Sequence, residues 1–258
     1  MLWNKNKSTL PKLLRLTDPG LREQLAAMPA SQALIGIGAA GQPVTVDWDA
    51  GSPHVLGCSA TGGGTSTVLH TLAAQLLHHG AHTVVLDSKR ISQTWAASLD
   101  DVTYCCDTET IHDALVDLQA EQQRRIAHSD QHGNCEDLPR LTVLLEVAHH
   151  TLRQLTRYWE KTREPGDPKV SPAIDALNEL LFAGRAARMH VLFGGQLDTT
   201  PLGFVAREQF STMVLGRVAP EPGAASPRRS TPPRRATPVP AASTSSRAPP
   251  PTRRRSCS

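Results

Sequence analysis

Apolar positions between Ser31 and Arg217 fall into two rhythms. Short unbroken runs rich in valine and leucine, HVLGC (54–58), HTVVLD (82–87), LTVLLEV (141–147) and MHVLFGG (189–195), alternate with longer stretches of helical period. An unbroken apolar run suits a strand buried on both faces, and a helical stretch between two such runs suits a crossover. The pattern therefore predicts an α/β fold with a mostly parallel sheet. VTYC (102–105) predicts a shorter strand, and crossover helices are expected at 65–79, 108–126 and 171–187. In the second of these, Ile111, Leu115 and Leu118 recur at i, i+4 and i+7, a stripe that belongs to a core. LREQLAAM predicts a short helix ahead of the sheet, followed by a hairpin around ALIGIGAAGQPVTVDW. The stretches 129–139 and 162–172 read as loops.

Composition divides the chain unevenly. Of the 258 residues, the last forty (219–258) hold ten of the twenty prolines, eight arginines and one acid, a charge of +7. Proline removes backbone donors, and almost no large apolar side chain is left there to offset ordering entropy, so a disordered basic tail is expected. Residues 1–218 then carry 19 bases against 23 acids, a mildly acidic −4. The expected organisation is an N-terminal helical or linker segment (1–39), one domain (40–218) and the tail (219–258). The abrupt change at Ala219 is also what a truncated or frame-shifted relative would show.

Five cysteines without a CxxC pair give no disulfide framework and no cysteine zinc site. The pairs His78-His79 and His149-His150 are adjacent, so their side chains diverge, and no HExxH spacing occurs. No run approaches a membrane span, and the N-terminus lacks the apolar core of a signal peptide, so a cytoplasmic protein is expected.

The chemistry concentrates in HVLGCSATGGGTSTVLHTLAAQLL, an apolar strand, a glycine-rich turn and a helix whose first turn carries Thr65, Ser66 and Thr67. Glycines let backbone approach an anion, while unpaired N–H groups and the helix dipole attract it. The phosphate-loop motif is GxxxxGK[ST]. Aligned on it, Ser59 takes the first glycine and Thr65 the lysine, and Thr61, Gly62, Gly63, Gly64, Thr65, Ser66 and Thr67 complete the candidate nucleotide-binding set with Ser59.

Four segments are similar to the FtsK/SpoIIIE-type DNA translocase domain, including its actinobacterial plasmid-transfer relatives, over about residues 40–217. SATGGGTS resembles the family's GTTGSGKS. VVLDSKR (84–90) resembles its strand ending in Asp-Pro-Lys, LTVLLEV its second acidic strand ending in Asp-Glu, and AGRAARMHVLFGGQ (183–196) its GRAAGIHLVLATQ, the most specific match. The resemblance implies a P-loop NTPase-like fold, ATP and Mg2+ as ligands, double-stranded DNA as partner and a homo-oligomeric ring. It implies that Gln196 senses the γ-phosphate and that Ser66 and Glu146 hold the metal. Arg185 and Arg188 become candidates to reach a neighbouring subunit's phosphate.

Three positions depart from the family's pattern. Thr65 stands for the lysine, Glu146 for the magnesium-linked aspartate and Val147 for the glutamate that polarises water. Losing one preorganised stabiliser of developing charge costs on the order of 3 kcal/mol. Lys89, which follows the neighbouring strand, is a candidate to supply the missing charge, and Glu146, Gln196 and Lys89 form the candidate catalytic set. The expectation is an ATP-binding, DNA-handling domain whose hydrolysis is weak or absent. The alternatives are a non-enzymatic subunit that uses the fold as a scaffold, and a nucleotide-binding regulator unrelated to DNA, which the acidic body favours.

Overall fold

The computed structural model describes residues 14–51, 53–195, 202 and 205–217. The chain divides into two units, Met1–Ala219 and Pro220–Ser258. The second unit, on which the expected tail falls, lies outside the described residues.

Helix α1 (Pro19–Ala26) precedes an antiparallel hairpin of β1 (Gln32–Ile37) and β2 (Pro43–Asp47). The chain then runs through β3 (Val55–Cys58), α2 (Thr65–His78), β4 (His82–Leu86), β5 (Val102–Cys105), α3 (Thr108–His132), β6 (Leu141–Leu145), α4 (Ala148–Thr162), α5 (Pro172–Ala183), β7 (Met189–Gly194) and β8 (Thr212–Leu215). Strands β3 to β8 form one sheet in the order β5-β4-β6-β7-β3-β8, and every pairing in it is parallel. The mostly parallel α/β fold expected from the apolar runs is the fold observed.

The two-residue period of each strand sorts its side chains between two cores. Val55, Val85, Leu144 and Leu192 face α2 and the hairpin, where they meet Leu69, Leu72, Leu76, Val46 and Trp48. Their neighbours Leu56, Val84, Leu86, Val143, Leu145, Val191 and Phe193 face α3, α4 and α5. Burial on both faces explains why β3, β4, β6 and β7 are predominantly apolar, with Thr83, Thr142 and His190 as buried polar exceptions. Gln75 of α2 holds the hairpin, accepting from Leu34 N at 2.7 Å and donating to Leu34 O at 2.9 Å.

Three sequence expectations need correction. Helix α3 continues to His132, where Gly133 in the left-handed conformation (φ 86°) ends it, so the expected loop starts later. Helix α4 was not expected, although its buried Ala148, Thr151, Leu152 and Leu155 keep helical spacing. Strand β8 was not expected either, because its apolar run is only three residues, Met213 to Leu215, and as an edge strand it leaves Met213 and Leu215 exposed. Arg185 and Arg188, the candidates for a neighbouring subunit's phosphate, stand away from this chain's own phosphate loop. Both precede β7 and so lie at the opposite end of the strands, where Arg185 donates to Asp49 O at 2.7 Å and Arg188 to Leu138 O at 3.1 Å and to Glu136 O.

Among the described residues no helix is long and apolar enough to cross a membrane.

Candidate functional site

In a parallel α/β sheet, ligands collect at the carboxyl ends of the strands. Here the ends of β3, β4, β6 and β7 meet the first turns of α2 and α4. A cleft of about 510 Å3 opens there, lined by residues 59–67, Lys89, Glu146, Val147, His149, Gly194 and Gly195. That size suits a nucleotide-scale ligand. All the candidate nucleotide-binding residues lie in it, as do Lys89 and Glu146. Gln196 lies outside the described residues.

The loop that leaves β3 has its shape fixed by sequence. Gly62 and Gly64 hold φ of 74° and 100°, a region in which a side chain is strained. Gly63 is required for a different reason, since a Cβ there would sit 2.6 Å from Ser59 Cβ and 2.8 Å from Ala60 O. The end of β8 clamps the loop from outside, with Ala60 N donating to Arg217 O at 2.7 Å and Gly216 N to Cys58 O at 2.8 Å. The N-cap of α2 is Gly64, which has no side chain to accept from the first-turn N–H groups. Those donors and the positive end of the helix dipole therefore face the cleft.

Thr65, at the lysine position, does not project into the cleft as a charge would. Its hydroxyl shares a 2.6 Å hydrogen bond with Ser59 Oγ. Its methyl faces the sheet, where a Cβ at Gly57 or Gly194 would meet it at 3.3 or 3.6 Å. Among the described residues, the lysine or arginine that lines the cleft is Lys89, just past β4. Arg90, its neighbour, turns to the Cys106 carbonyl instead.

Opposite the loop, Ser66 donates its hydroxyl to Glu146 Oε1 at 2.7 Å, and Gln93 Nε2 donates to Glu146 Oε2 at 2.8 Å. Asp87, at the end of the adjacent strand β4, accepts from Gln93 N at 2.9 Å and Ser92 N at 3.0 Å. Burial and the Asp87 charge push the Tyr104 phenol up to about 12, so it remains a donor to the same carboxylate. Asp87 and Glu146 are both buried, neither is ion-paired among the described residues, and Asp87 Oδ1 has no hydrogen-bond partner. Two buried carboxylates without a countercharge favour a cation nearby. The donor set, a serine hydroxyl and a carboxylate, is of the hard oxygen type that magnesium accepts together with phosphates and water.

Val147 follows as the N-cap of α4, with φ 49° and ψ 50°. A β-branched residue in the left-handed region is strained, and such strain gathers at functional sites. Sequence reasoning passed over Gln93, His149, Gly194 and Gly195. The paired glycines did leave a signal: a Cβ at Gly194 would lie 2.7 Å from Leu69 Cδ1, so glycine there lets α2 approach β7.

No protein-family model and no curated protein matches the chain. Solved structures do. The chain is similar to the pCW3 conjugation coupling protein TcpA in its monomer form with ATPγS, at 18% identity and a TM-score of 0.62 over 79% of this chain and 57% of that one. It is similar to EssC (ATPases 2 and 3) from Geobacillus thermodenitrificans, at 16% identity and TM-score 0.59 over 81% and 37% of the two chains. It is also similar to Thermomonospora curvata EccC (ATPases 2 and 3) bound to a signal-sequence peptide, at 17% identity and TM-score 0.57 over 74% and 34%. The chain thus spans between about a third and just over half of the length of these proteins, and what it shares with them is the fold.

Proposed function

We propose that residues 40–218 form an FtsK/SpoIIIE-like module that binds ATP with Mg2+ through the loop 59–67, hydrolyses it weakly or not at all, and serves a protein that handles double-stranded DNA. The observation that carries this reading is the loop itself: two left-handed glycines, an uncapped helix N-terminus, and Ser66 joined to Glu146 across the cleft. A similarly folded conjugation coupling protein was solved with ATPγS, which supports the nucleotide and, more distantly, the DNA.

Backbone N–H groups of residues 62–66 would bind the phosphates, and Ser66 and Glu146 would hold the metal. Magnesium, when bound, neutralises phosphate charge. Lys89 is the side chain best placed to add a positive charge from the opposite wall. Val147 has no atom that can accept a proton or orient water, and Thr65 is tied to Ser59, so ground-state binding outlasts catalysis. A ring assembly and a cytoplasmic location belong to the same reading.

Val147 and Thr65 also favour a second reading, a scaffold subunit that hydrolyses nothing. Equilibrium binding of labelled ATP and ADP, with and without Mg2+, tests both. Binding without turnover is the expected result, and absence of nucleotide binding would leave the scaffold. For the chemistry, Thr65→Lys with Val147→Glu should create DNA-stimulated ATPase activity that neither change gives alone, because residues of one catalytic unit act non-additively. A parent turning over at roughly 1 per second or faster would refute the impaired site.

A further inference from the structure

We propose that Gln93 is a positioning residue for the metal side of the cleft: it holds Glu146 in the orientation that receives magnesium, and the half-buried Trp95 reports that state. The inference deepens the nucleotide-binding reading and rests on it. Gln93 lies in the segment between β4 and β5, on no expected motif, yet it is fully buried. Each of its polar groups is committed. Its N–H is fixed by Asp87 at 2.9 Å, its Nε2 donates to Glu146 Oε2 at 2.8 Å, and its Oε1 accepts from Trp95 Nε1 at 2.6 Å. Trp95 itself stacks on His70 of α2, with ring centroids 4.4 Å apart and planes 12° apart.

The consequence for Glu146 is geometric. Its two oxygens have one donor each, Gln93 on Oε2 and Ser66 on Oε1. When a cation displaces the serine hydroxyl proton from Oε1, Gln93 still pins Oε2, so the carboxylate does not rotate away. The amide orientation of Gln93 is in turn set by Trp95, because Oε1 accepts the indole N–H and Nε2 is therefore the end that faces the acid. Hydrogen-bond partners of metal-ligating carboxylates commonly change metal affinity by roughly tenfold or more when removed. A purely structural glutamine would instead affect nucleotide binding equally with and without metal.

The full chain is titrated with fluorescent ATPγS in Mg2+ and in EDTA, and Trp95 emission is isolated by subtracting the Trp95→Phe protein. Gln93→Ala and the near-isosteric Gln93→Met are compared, with thermal melts establishing that each is folded. The expected result is that Mg2+ tightens binding in the parent and shifts Trp95 emission. In both variants the Mg2+ required for half-effect rises roughly tenfold, the emission shift is lost, and affinity in EDTA stays within about twofold of the parent. A folded variant with the parent's Mg2+ dependence overturns the role, as does a variant that loses affinity equally in Mg2+ and in EDTA. A parent that binds no nucleotide in either condition overturns the nucleotide-binding reading itself and this role with it. A parent whose binding ignores Mg2+ overturns the metal side alone.

Discussion

Acid should destabilise this protein through two histidines that the fold keeps neutral. His54 is buried beside β7, donating from Nε2 to Leu181 O at 2.9 Å while Nδ1 accepts from Val191 N at 3.0 Å. His190 donates from Nδ1 to Pro53 O at 3.0 Å and accepts from Arg140 at 3.2 Å on Nε2. Neither ring has room for a second proton without losing a bond. Burial lowers His54 to about 4, and burial together with the Arg140 charge lowers His190 to about 3, from an ordinary 6.5. The unfolded chain binds these protons first, so stability is full above 6.5 and is lost as pH falls toward the folded values. At about pH 5 both rings are still neutral in the folded state, so the loss depends only on the distance below 6.5. At about 1.36 kcal/mol per unit that is about 2 kcal/mol for each histidine, or about 4 kcal/mol for the pair. Such a loss is a large part of the stability of an ordinary domain. Urea denaturation at neutral pH and at about pH 5 measures it, and His54→Gln and His190→Gln should each halve the pH dependence whatever their own cost. If neither variant changes the slope, or if the parent loses less than about 1 kcal/mol, the reasoning fails.

Val147→Gly should raise stability by about 1 kcal/mol, since the left-handed strain of the valine exceeds the entropic cost of glycine; a lower melting temperature would contradict it. Gly63→Ala should abolish ATPγS binding in a protein that still folds, because the added Cβ collides with Ser59 and Ala60 within the loop; unchanged affinity would remove the loop from the site. Leu155→Ala, at a fully buried position on α4, should cost about 2–5 kcal/mol in denaturation experiments. Affinity for double-stranded DNA should fall steeply with salt and drop when residues 219–258 are removed, since the remainder is net acidic; equal binding without them would locate the contact on the body.

Central strands were legible because burial on both faces favours valine, leucine and their like, as in LTVLL of β6, where Thr142 is the one polar residue. The hairpin and α1 were legible from local chemistry alone. Strand β8 was not, since its apolar run, Met213-Val214-Leu215, is only three residues long and carries no flanking helical pattern to mark it as a strand of the sheet. Helix α4 carried its period at Ala148, Thr151, Leu152 and Leu155, but charged and aromatic residues between them masked it. The phosphate loop was readable because its chemistry is local in sequence. Gln93 was not, because its meaning comes from Asp87, Glu146 and Trp95, which only folding brings together.

The clamp of β8 on the phosphate loop makes the candidate site a product of the longest-range strand pairing among the described residues, Val55 with Thr212 through Cys58 with Leu215. Closing so large a loop is entropically costly and comes late when contacts form in order of sequence separation. During synthesis the glycine loop would therefore be made early but remain unframed, its Ala60 and Cys58 partners still unsynthesised. A chain stopped before Thr212 would keep every residue of the loop and lose its outer support. The competence of an N-terminal motif would then be decided by whether the six residues 212–217, near the far end of the body, have been translated.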